Sequence, residues 1–305
     1  MNARRLLVLL VAPVAFIAAG SLRLGGQSYT SGQPVWPAYE GWEKNDDGSF
    51  SFLFGYMNDN WQQELDVPAG PDNAIEPGGP DRGQPTHFQP RRNRFMFRVR
   101  VPKDWGDKEL IWTLTTQGVA RKAFASLRTD LLVENIDIMS ESGALGAGTS
   151  SPEQRADKPP VIALAGKTLT AKVGEPLELA ATVTDDGVPR RRGGGAPARG
   201  LPEAIILRPP ARLTVGKVLG LHLSWFVYRG PGAVTFTPRQ VKSWEDTRAG
   251  ANSPWAPLWQ APPVPTDGKY VTTATFAEPG TYVLRARADD GLLTSDEDVT
   301  VTVTR

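Results

Sequence analysis

Two pairs of aspartates are the residues whose type and spacing best suit ion binding in this sequence. Asp185 and Asp186 precede one glycine, and Asp289 and Asp290 precede another. Carboxylate oxygens from neighbouring turns are ligands that Ca²⁺ prefers. The DxDxDG spacing of a calcium loop is absent, however, and Asp-Gly is ordinary turn chemistry. The pairs therefore predict acidic turns that need no cofactor, with Ca²⁺ as the alternative.

Histidine chemistry is restricted to His87 and His222, since the chain has only two histidines. Without cysteine and without an HExxH or GxSxG segment, it lacks a thiol nucleophile, a three-histidine metal site and the motifs of familiar hydrolases. His222 is expected on the polar face of a strand, at the surface. His87 lies in the Pro/Gly-rich segment 66–94, between carboxylates and arginines, and is the candidate ligand-binding or catalytic group. The alternative is a rigid loop whose charges are paired or solvated.

Two further residue sets could recognise a polymer. Segment 189–218 has seven basic residues against one acidic residue, including Arg190, Arg191 and Arg192. Such an asymmetry attracts anionic polysaccharide or an acidic protein surface, and a solvated insertion is the alternative. Trp255 and Trp259 could stack on sugars, although the flanking prolines favour a role in fixing their loop to the domain.

Composition limits the class of protein. The 34 Lys+Arg and 33 Asp+Glu residues leave a net charge of +1, so a nucleic-acid partner is not expected. A hydrophobic fraction of 40% is typical of a globular chain that buries a core. The 31 glycines and 27 prolines indicate many turns and favour strands over helices.

The N-terminus has the three parts of a Sec-type signal peptide. Arg4 and Arg5 precede the apolar segment 6–19, and small residues follow it. As a helix, that segment would span about 21 Å, less than the ~30 Å hydrocarbon core of a bilayer. The absence of cysteine excludes a lipoprotein anchor, and no later segment approaches membrane length. We therefore expect residues 1–20 to be removed, leaving a periplasmic or extracellular protein without a membrane span.

The first half of the mature chain has the alternation of antiparallel strands. Apolar residues recur at every second position in 50–56, 95–101 and 110–114. The last two segments, joined by a turn at 103–107, are predicted to form a hairpin. We assign 21–40 to a flexible lead-in, 41–140 to an N-terminal β domain of uncharacterised type, and 141–160 to a linker.

The second half, 161–305, has about seven turn-punctuated strands with two long insertions. Segments 173–187, 223–236 and 274–303 resemble a PKD-type, Ig-like β-sandwich, a resemblance that implies an extracellular spacer or adhesion module and no catalytic residues. Trp225 stands where such a domain has its core tryptophan, and Tyr282 where it has a tyrosine corner. Segment 54–118 resembles a group of exported proteins from soil bacteria, which implies export only. The predicted fold is all-β, with two β-sandwich-like domains.

Three hypotheses on function remain open from the sequence. The first is a non-enzymatic protein that binds or spaces at the bacterial cell envelope, with envelope polysaccharide or another envelope protein as its partner. The second is a glycan-binding protein that uses the loop tryptophans. The third is an enzyme built around His87.

Cleavage of the signal peptide is directly testable. With Ala18 and Gly20 at the −3 and −1 positions, we expect the exported protein to begin at Ser21. The intact mass of the exported form measures this. A mass that includes residues 1–20 would contradict the prediction and indicate a membrane-tethered protein.

Overall fold

Strands make up most of the computed structural model, which describes residues 30–141, 151–189, 221–242 and 264–305. The prediction of an all-β fold is confirmed. The N-terminal half contains eight strands, followed by a 3₁₀ turn at Thr129–Leu131 and helix α1 at Asn135–Glu141. The strands are β1 Val35–Lys44, β2 Phe50–Asn58, β3 Leu65–Asp66, β4 Asn73–Glu76, β5 His87–Phe88, β6 Arg91–Val101, β7 Leu110–Thr116 and β8 Val119–Ala125.

Two three-stranded sheets enclose the core of this half. Their strand orders are β1-β2-β6 and β4-β7-β8, and β3 and β5 form a separate ribbon. Phe54, Phe97 and Trp112 meet at the centre, where the Phe54 and Phe97 rings stack at 5.2 Å between centroids and Trp112 is fully buried. The aromatic alternation of the sequence thus supplies the facing surfaces of a second sandwich.

Three sequence-based expectations for this half are wrong. β6 and β7 do not form a hairpin, because β6 pairs with β2 while β7 pairs with β4 and β8. Residues 35–40 belong to β1 and not to a flexible lead-in, since β1 pairs with β2 along its length. The alternation in β6 starts only at Phe97, because Phe95 has a φ of 50° at a break in the β2–β6 register and Met96 is buried instead.

The C-terminal half has the sheet order of an Ig-like sandwich. After α2 at Pro152–Arg155, the described residues of this half form eight strands in two four-stranded sheets, β10-β16-β15-β12 and β13-β14-β11-β9. The strands are β9 Val161–Leu164, β10 Thr168–Lys172, β11 Leu177–Thr184, β12 His222–Arg229, β13 Val234–Thr237, β14 Lys269–Phe276, β15 Gly280–Asp289 and β16 Thr294–Thr304. The boundary between the halves, placed at 141–160 from the sequence, stays a prediction.

The two residues singled out for this core occupy the predicted positions. Trp225 is 2% exposed and packs between the sheets. The Tyr282 hydroxyl donates a hydrogen bond of 2.9 Å to the Glu278 carbonyl, which is the geometry of a tyrosine corner. Gly230 makes this corner possible, since a Cβ there would lie 2.3 Å from the Tyr282 ring.

The outer face of β12, β15 and β16 is covered by the N-terminal half. Phe226 and Tyr228 alternate with the inward-facing Trp225 and belong to the N-terminal core. The Tyr228 hydroxyl donates to the Gly83 carbonyl. The Thr86 amide donates to the Tyr228 carbonyl at 3.2 Å, so backbone as well as side chains join the halves.

Arginines and aspartates form a ladder across this covered face. Register places Phe226 opposite Arg285 and Arg285 opposite Asp298, while Arg287 lies opposite Asp296. Each arginine makes two hydrogen bonds to its aspartate, at 2.7–2.8 Å. Arg285 also lies 3.5 Å from the centroid of the Tyr228 ring and donates to the Met96 carbonyl across the interface.

Truncation of Trp225 tests the core of the C-terminal half. Because a large buried side chain leaves a cavity, Trp225→Ala should lower the free energy of unfolding by about 3–5 kcal/mol. Val271→Ala, at an exposed apolar position of β14, is the matched control and should cost less than about 0.5 kcal/mol. Urea unfolding measures both, and a loss below about 1 kcal/mol for Trp225→Ala would exclude this core position.

Candidate functional site

The four aspartates chosen from the sequence lie in two turns at one end of the C-terminal sandwich. Asp185 and Asp186 follow β11, while Asp289 and Asp290 stand at the end of β15. Each accepts a hydrogen bond from a backbone amide within three residues, so the predicted turn chemistry is present. The structure adds Asp157, which follows α2 and is 3% exposed.

The surroundings of these carboxyl groups are unfavourable for charge. Burial raises the pKa of Asp157 to about 7, and repulsion from Asp186 and Asp185 acts in the same direction. Burial also raises the pKa of Asp290 to about 7, against hydrogen bonds from the Leu293 and Leu292 amides. As they stand, no three acidic or histidine side chains of the described residues are arranged to hold a metal ion.

His87 is held between two carboxylates. Its side chain is buried on β5, with Nδ1 at 2.8 Å from Asp66 Oδ1 and Nε2 at 3.1 Å from Glu64 Oε2. Burial alone would lower the pKa of His87, but the hydrogen bonds and charges of Asp66 and Glu64 prevail and raise it to about 9. At neutral pH the ring is therefore an imidazolium with no free lone pair, and in this state it can act neither as a general base nor as a metal ligand.

The other sequence candidates fall into two groups. Arg190, Arg191, Arg192, Trp255 and Trp259 lie outside the residues that the structure describes. His222 was expected at the surface, but it is 3% exposed at the start of β12, opposite Asp289 of β15.

An exposed row of aromatic and charged side chains lies at one end of the N-terminal sandwich, and we call it the aromatic–arginine surface. It consists of Trp36, Asp59, Trp61, Arg91 and Arg121. The Trp36 Nε1–H donates to Asp59 Oδ2 at 2.8 Å, and Arg91 donates to the Asp59 carbonyl at 2.9 Å. Arg121 lies over the Trp36 ring and Arg91 over the Trp61 ring, each at 4.3 Å from the centroid. Trp36 is 46% exposed and Trp61 57% exposed.

Buried amides hold this surface in place. Asn58, the last residue of β2, and Asn60 in the loop that follows are both fully buried and flank Asp59. Asn60 Nδ2 donates to the Gln33 carbonyl at 2.8 Å and to Asn58 Oδ1 at 2.7 Å, while Asn58 Nδ2 donates to the Phe88 carbonyl at 3.1 Å. Because a satisfied buried network fixes the backbone, Asp59 and Trp61 are presented in one orientation.

An open cleft of about 720 Å³ lies between the β1–β2 turn and residues 132–138. Its lining contains acidic residues, two basic residues, two asparagines and three aliphatic residues, and it has no histidine, serine or cysteine. Two of its acids, Glu43 and Asp47, are ion-paired with Arg98 and Arg100. The cleft therefore offers no hydroxyl, thiol or imidazole group for catalysis.

Comparisons with known proteins give no family. No protein-family model matches the chain, and no curated protein matches it in sequence. Among solved structures, domains 4 and 5 of the S-layer protein SbsC overlap with this chain at a TM-score of 0.24 and 8% sequence identity. The overlap covers 65% of this chain and 66% of the SbsC chain, which is just under two thirds of the SbsC chain's length. The D0-D1 domain of intimin overlaps at a TM-score of 0.22 and 10% identity over 87% and 97% of the two chains. An endo-fucoidan hydrolase of glycoside hydrolase family 107 overlaps at 0.24 and 11% identity over 91% and 30%.

Overlaps of this size carry no argument about function. The fold class rests on the sheet order and the tyrosine corner of the chain itself. Within the described residues, no helix is long and apolar enough to cross a membrane.

Trp36, Trp61 and their arginines are not among the candidates that the sequence predicts. Trp36 lies in the segment assigned to the lead-in, and Trp61 follows a strand without any motif. The signal that was present is the polar run Asn58-Asp59-Asn60, since Asx side chains in series favour an ordered turn that could present a neighbouring aromatic residue.

The raised pKa of His87 makes the free energy of unfolding depend on pH. The imidazolium is favoured in the folded state, so its contribution is complete below the unfolded pKa of about 6.5 and is lost as the pH rises through about 9. We expect the free energy of unfolding of the wild type, relative to His87→Gln, to fall between those pH values. Urea unfolding at pH 6, 7.5 and 9.5 measures the difference. A difference that is constant across this range would contradict the ion triad.

Proposed function

We propose that this chain is a non-enzymatic binding protein that acts outside the cytoplasm and attaches to anionic polysaccharide of the cell envelope. The observation that carries the proposal is the aromatic–arginine surface, which exposes two indoles, Trp36 on β1 and Trp61 in the loop after β2. Tryptophan and arginine are the residue types most enriched at the energetic centres of binding sites. The N-terminal signal sequence supports a location beyond the cytoplasmic membrane.

The composition of the surface supports a sugar polymer with acidic groups. The apolar faces of sugar rings pack against indoles, and Trp36 and Trp61 are each about half exposed although an arginine lies over each ring. Arg91 and Arg121 place two positive charges beside them against the single carboxylate of Asp59. Guanidinium groups pair in a bidentate fashion with carboxylates and phosphates, the charged groups of acidic polysaccharides.

An enzyme centred on His87 is disfavoured by the state of that residue. Both of its ring nitrogens are engaged by carboxylates, and the groups around it raise its pKa to about 9.

The PKD-type assignment of the second half adds a spacer role to the proposal. In this role the C-terminal sandwich holds the binding surface away from the rest of the envelope.

Binding to an immobilised acidic polysaccharide tests the proposal. Trp36→Ala/Trp61→Ala should reduce retention at 0.1 M salt at least tenfold, because both stacking faces are removed. Phe124→Ala is the matched control: Phe124 is 52% exposed, on the same half but outside this surface, and its loss should leave binding unchanged. Wild-type binding should weaken towards 1 M salt, where the Debye length falls from ~10 to ~3 Å.

The basic insertion provides the competing location for the contact. Replacing Arg190, Arg191 and Arg192 with serine should have a smaller effect than the double tryptophan change. If the serine variant loses binding while the tryptophan variant retains it, the surface assignment is wrong and the insertion is the contact. Thermal unfolding of each variant confirms that the fold is retained.

A further inference from the structure

The carboxylate of Asp157 is buried without a partner. The residue is 3% exposed, and neither of its oxygens accepts a hydrogen bond of ordinary geometry from the protein. Buried polar groups are nearly always paired, and a buried charge left unpaired is strongly unfavourable. The charges that act most strongly on Asp157 are those of Asp186 and Asp185, which repel it. The ionised form of Asp157 therefore needs a positive charge that the protein does not supply.

Asp185 and Asp290 each contribute one further free oxygen. In Asp185, Oδ2 accepts the Gly187 amide at 2.9 Å, while Oδ1 is buried and unbonded. In Asp290, which is 2% exposed, Oδ1 accepts the Leu292 amide at 2.6 Å and the Leu293 amide at 2.9 Å, while Oδ2 is buried and unbonded. The turns thus fix both side chains through one oxygen and leave the second without a donor.

These three carboxylates come from three separate segments of the chain. Asp157 follows α2, Asp185 follows β11, and Asp290 follows β15. Beside them, Met139 of α1 packs with Leu292 and Leu293 of the β15–β16 turn in a small apolar cluster of its own. The carboxylates therefore lie where the connection between the two halves meets the end of the C-terminal sandwich.

We propose that Asp157, Asp185 and Asp290 bind one Ca²⁺ ion at this junction. A divalent cation would supply a positively charged partner for the four buried carboxylate oxygens that accept no hydrogen bond. Ca²⁺ fits the donor set because all of it is carboxylate oxygen from separate turns, whereas Zn²⁺ takes nitrogen and sulfur ligands and Mg²⁺ demands a stricter octahedral geometry. Asp289 is not included, since it lies opposite His222 and has an interaction of its own.

Binding requires the acidic side chains to turn towards one another, since they are not arranged around a common point in the ion-free chain. Asp157 has no side-chain partner to give up in doing so, and a backbone hydrogen bond with Lys158 only partly offsets the burial and repulsion that raise its pKa. The ion would then fasten the segment after α2 to the β11 and β15 turns. It would stiffen the connection between the halves and leave the aromatic–arginine surface untouched, so the inference is independent of the proposed function.

Calorimetric titration of the chelator-treated full chain with CaCl₂ at pH 7.5 tests the inference. We expect one ion per chain with a dissociation constant of about 10⁻⁴ to 10⁻³ M, the range of extracellular calcium modules. Saturating Ca²⁺ should also raise the unfolding temperature by several degrees, as any ligand of the folded state does. MgCl₂ at the same concentration should raise it less.

Three substitutions locate the ion. Asp157→Asn and Asp290→Asn should each weaken Ca²⁺ binding at least tenfold. Without Ca²⁺, Asp157→Asn should unfold at the same temperature as the wild type or higher, because it removes an unpaired buried charge. Asp267→Asn is the matched control, since Asp267 also caps a turn of this sandwich, through a 3.0 Å bond from the Lys269 amide, and it should bind Ca²⁺ normally.

Two results would overturn the inference. Absence of a Ca²⁺-dependent heat and of a change in unfolding temperature at 10 mM CaCl₂ would mean that the carboxyl groups stay protonated or hydrated. Undiminished Ca²⁺ binding by Asp157→Asn and Asp290→Asn would place the ion elsewhere. Asp157→Asn should raise or leave unchanged the unfolding temperature without Ca²⁺ and lower it, relative to the wild type, with Ca²⁺. A simple loss of packing would lower the unfolding temperature under both conditions.

Discussion

The burial of Arg285 and Arg287 is the constraint on which the arrangement of the two halves depends. Both guanidiniums are 8% exposed under the N-terminal half, and a buried charge is tolerated only when it is paired and hydrogen-bonded. The sheet register meets this requirement by placing an aspartate directly opposite each arginine. Arg229 extends the contact with two hydrogen bonds to Asp81, so charge pairs cover the centre and the edge of the interface. The outer face of this Ig-like sheet is therefore buried against the N-terminal half of the same chain and does not face solvent.

This interface between the halves determines which surfaces remain exposed for binding other molecules. The outer face of β12, β15 and β16 is occupied, and β5 is packed beside β12. The aromatic–arginine surface stays free at the end of the N-terminal sandwich, and the buried Asn58 beneath it donates to the Phe88 carbonyl of β5. The same β5 carries His87, whose ion triad joins it to the segment 64–66. The aromatic–arginine surface, the ion triad and the interface are therefore all connected to β5.

Local patterns in the sequence were sufficient for the sandwich of the second half and insufficient for the contacts between halves. Trp225 and Tyr282 were located because strand alternation and a Pro-Gly turn determine their surroundings. Arg285 and Arg287 alternate with apolar residues, as solvent-facing residues of a half-buried strand would, and only the aromatic Phe226 and Tyr228 on the neighbouring strand indicate a covered face. The predicted β6–β7 hairpin is wrong because a short turn can join two paired strands of one sheet or two strands of different sheets. Here it joins strands of different sheets, since β6 pairs with β2 and β7 pairs with β4 and β8. Asp157 was missed because it has no motif and depends on the contact of three distant segments.

Scanning calorimetry of the full mature chain tests the central claim most directly, namely that the two halves form one unit through the outer face of β12, β15 and β16. The account predicts a single cooperative transition for the wild type, since each half loses the cover of buried groups when the other unfolds. In Phe226→Ser/Tyr228→Ser, which keeps the inward-facing core intact, that transition should separate into two. Two independent transitions in the wild type, unchanged in the double variant, would contradict it.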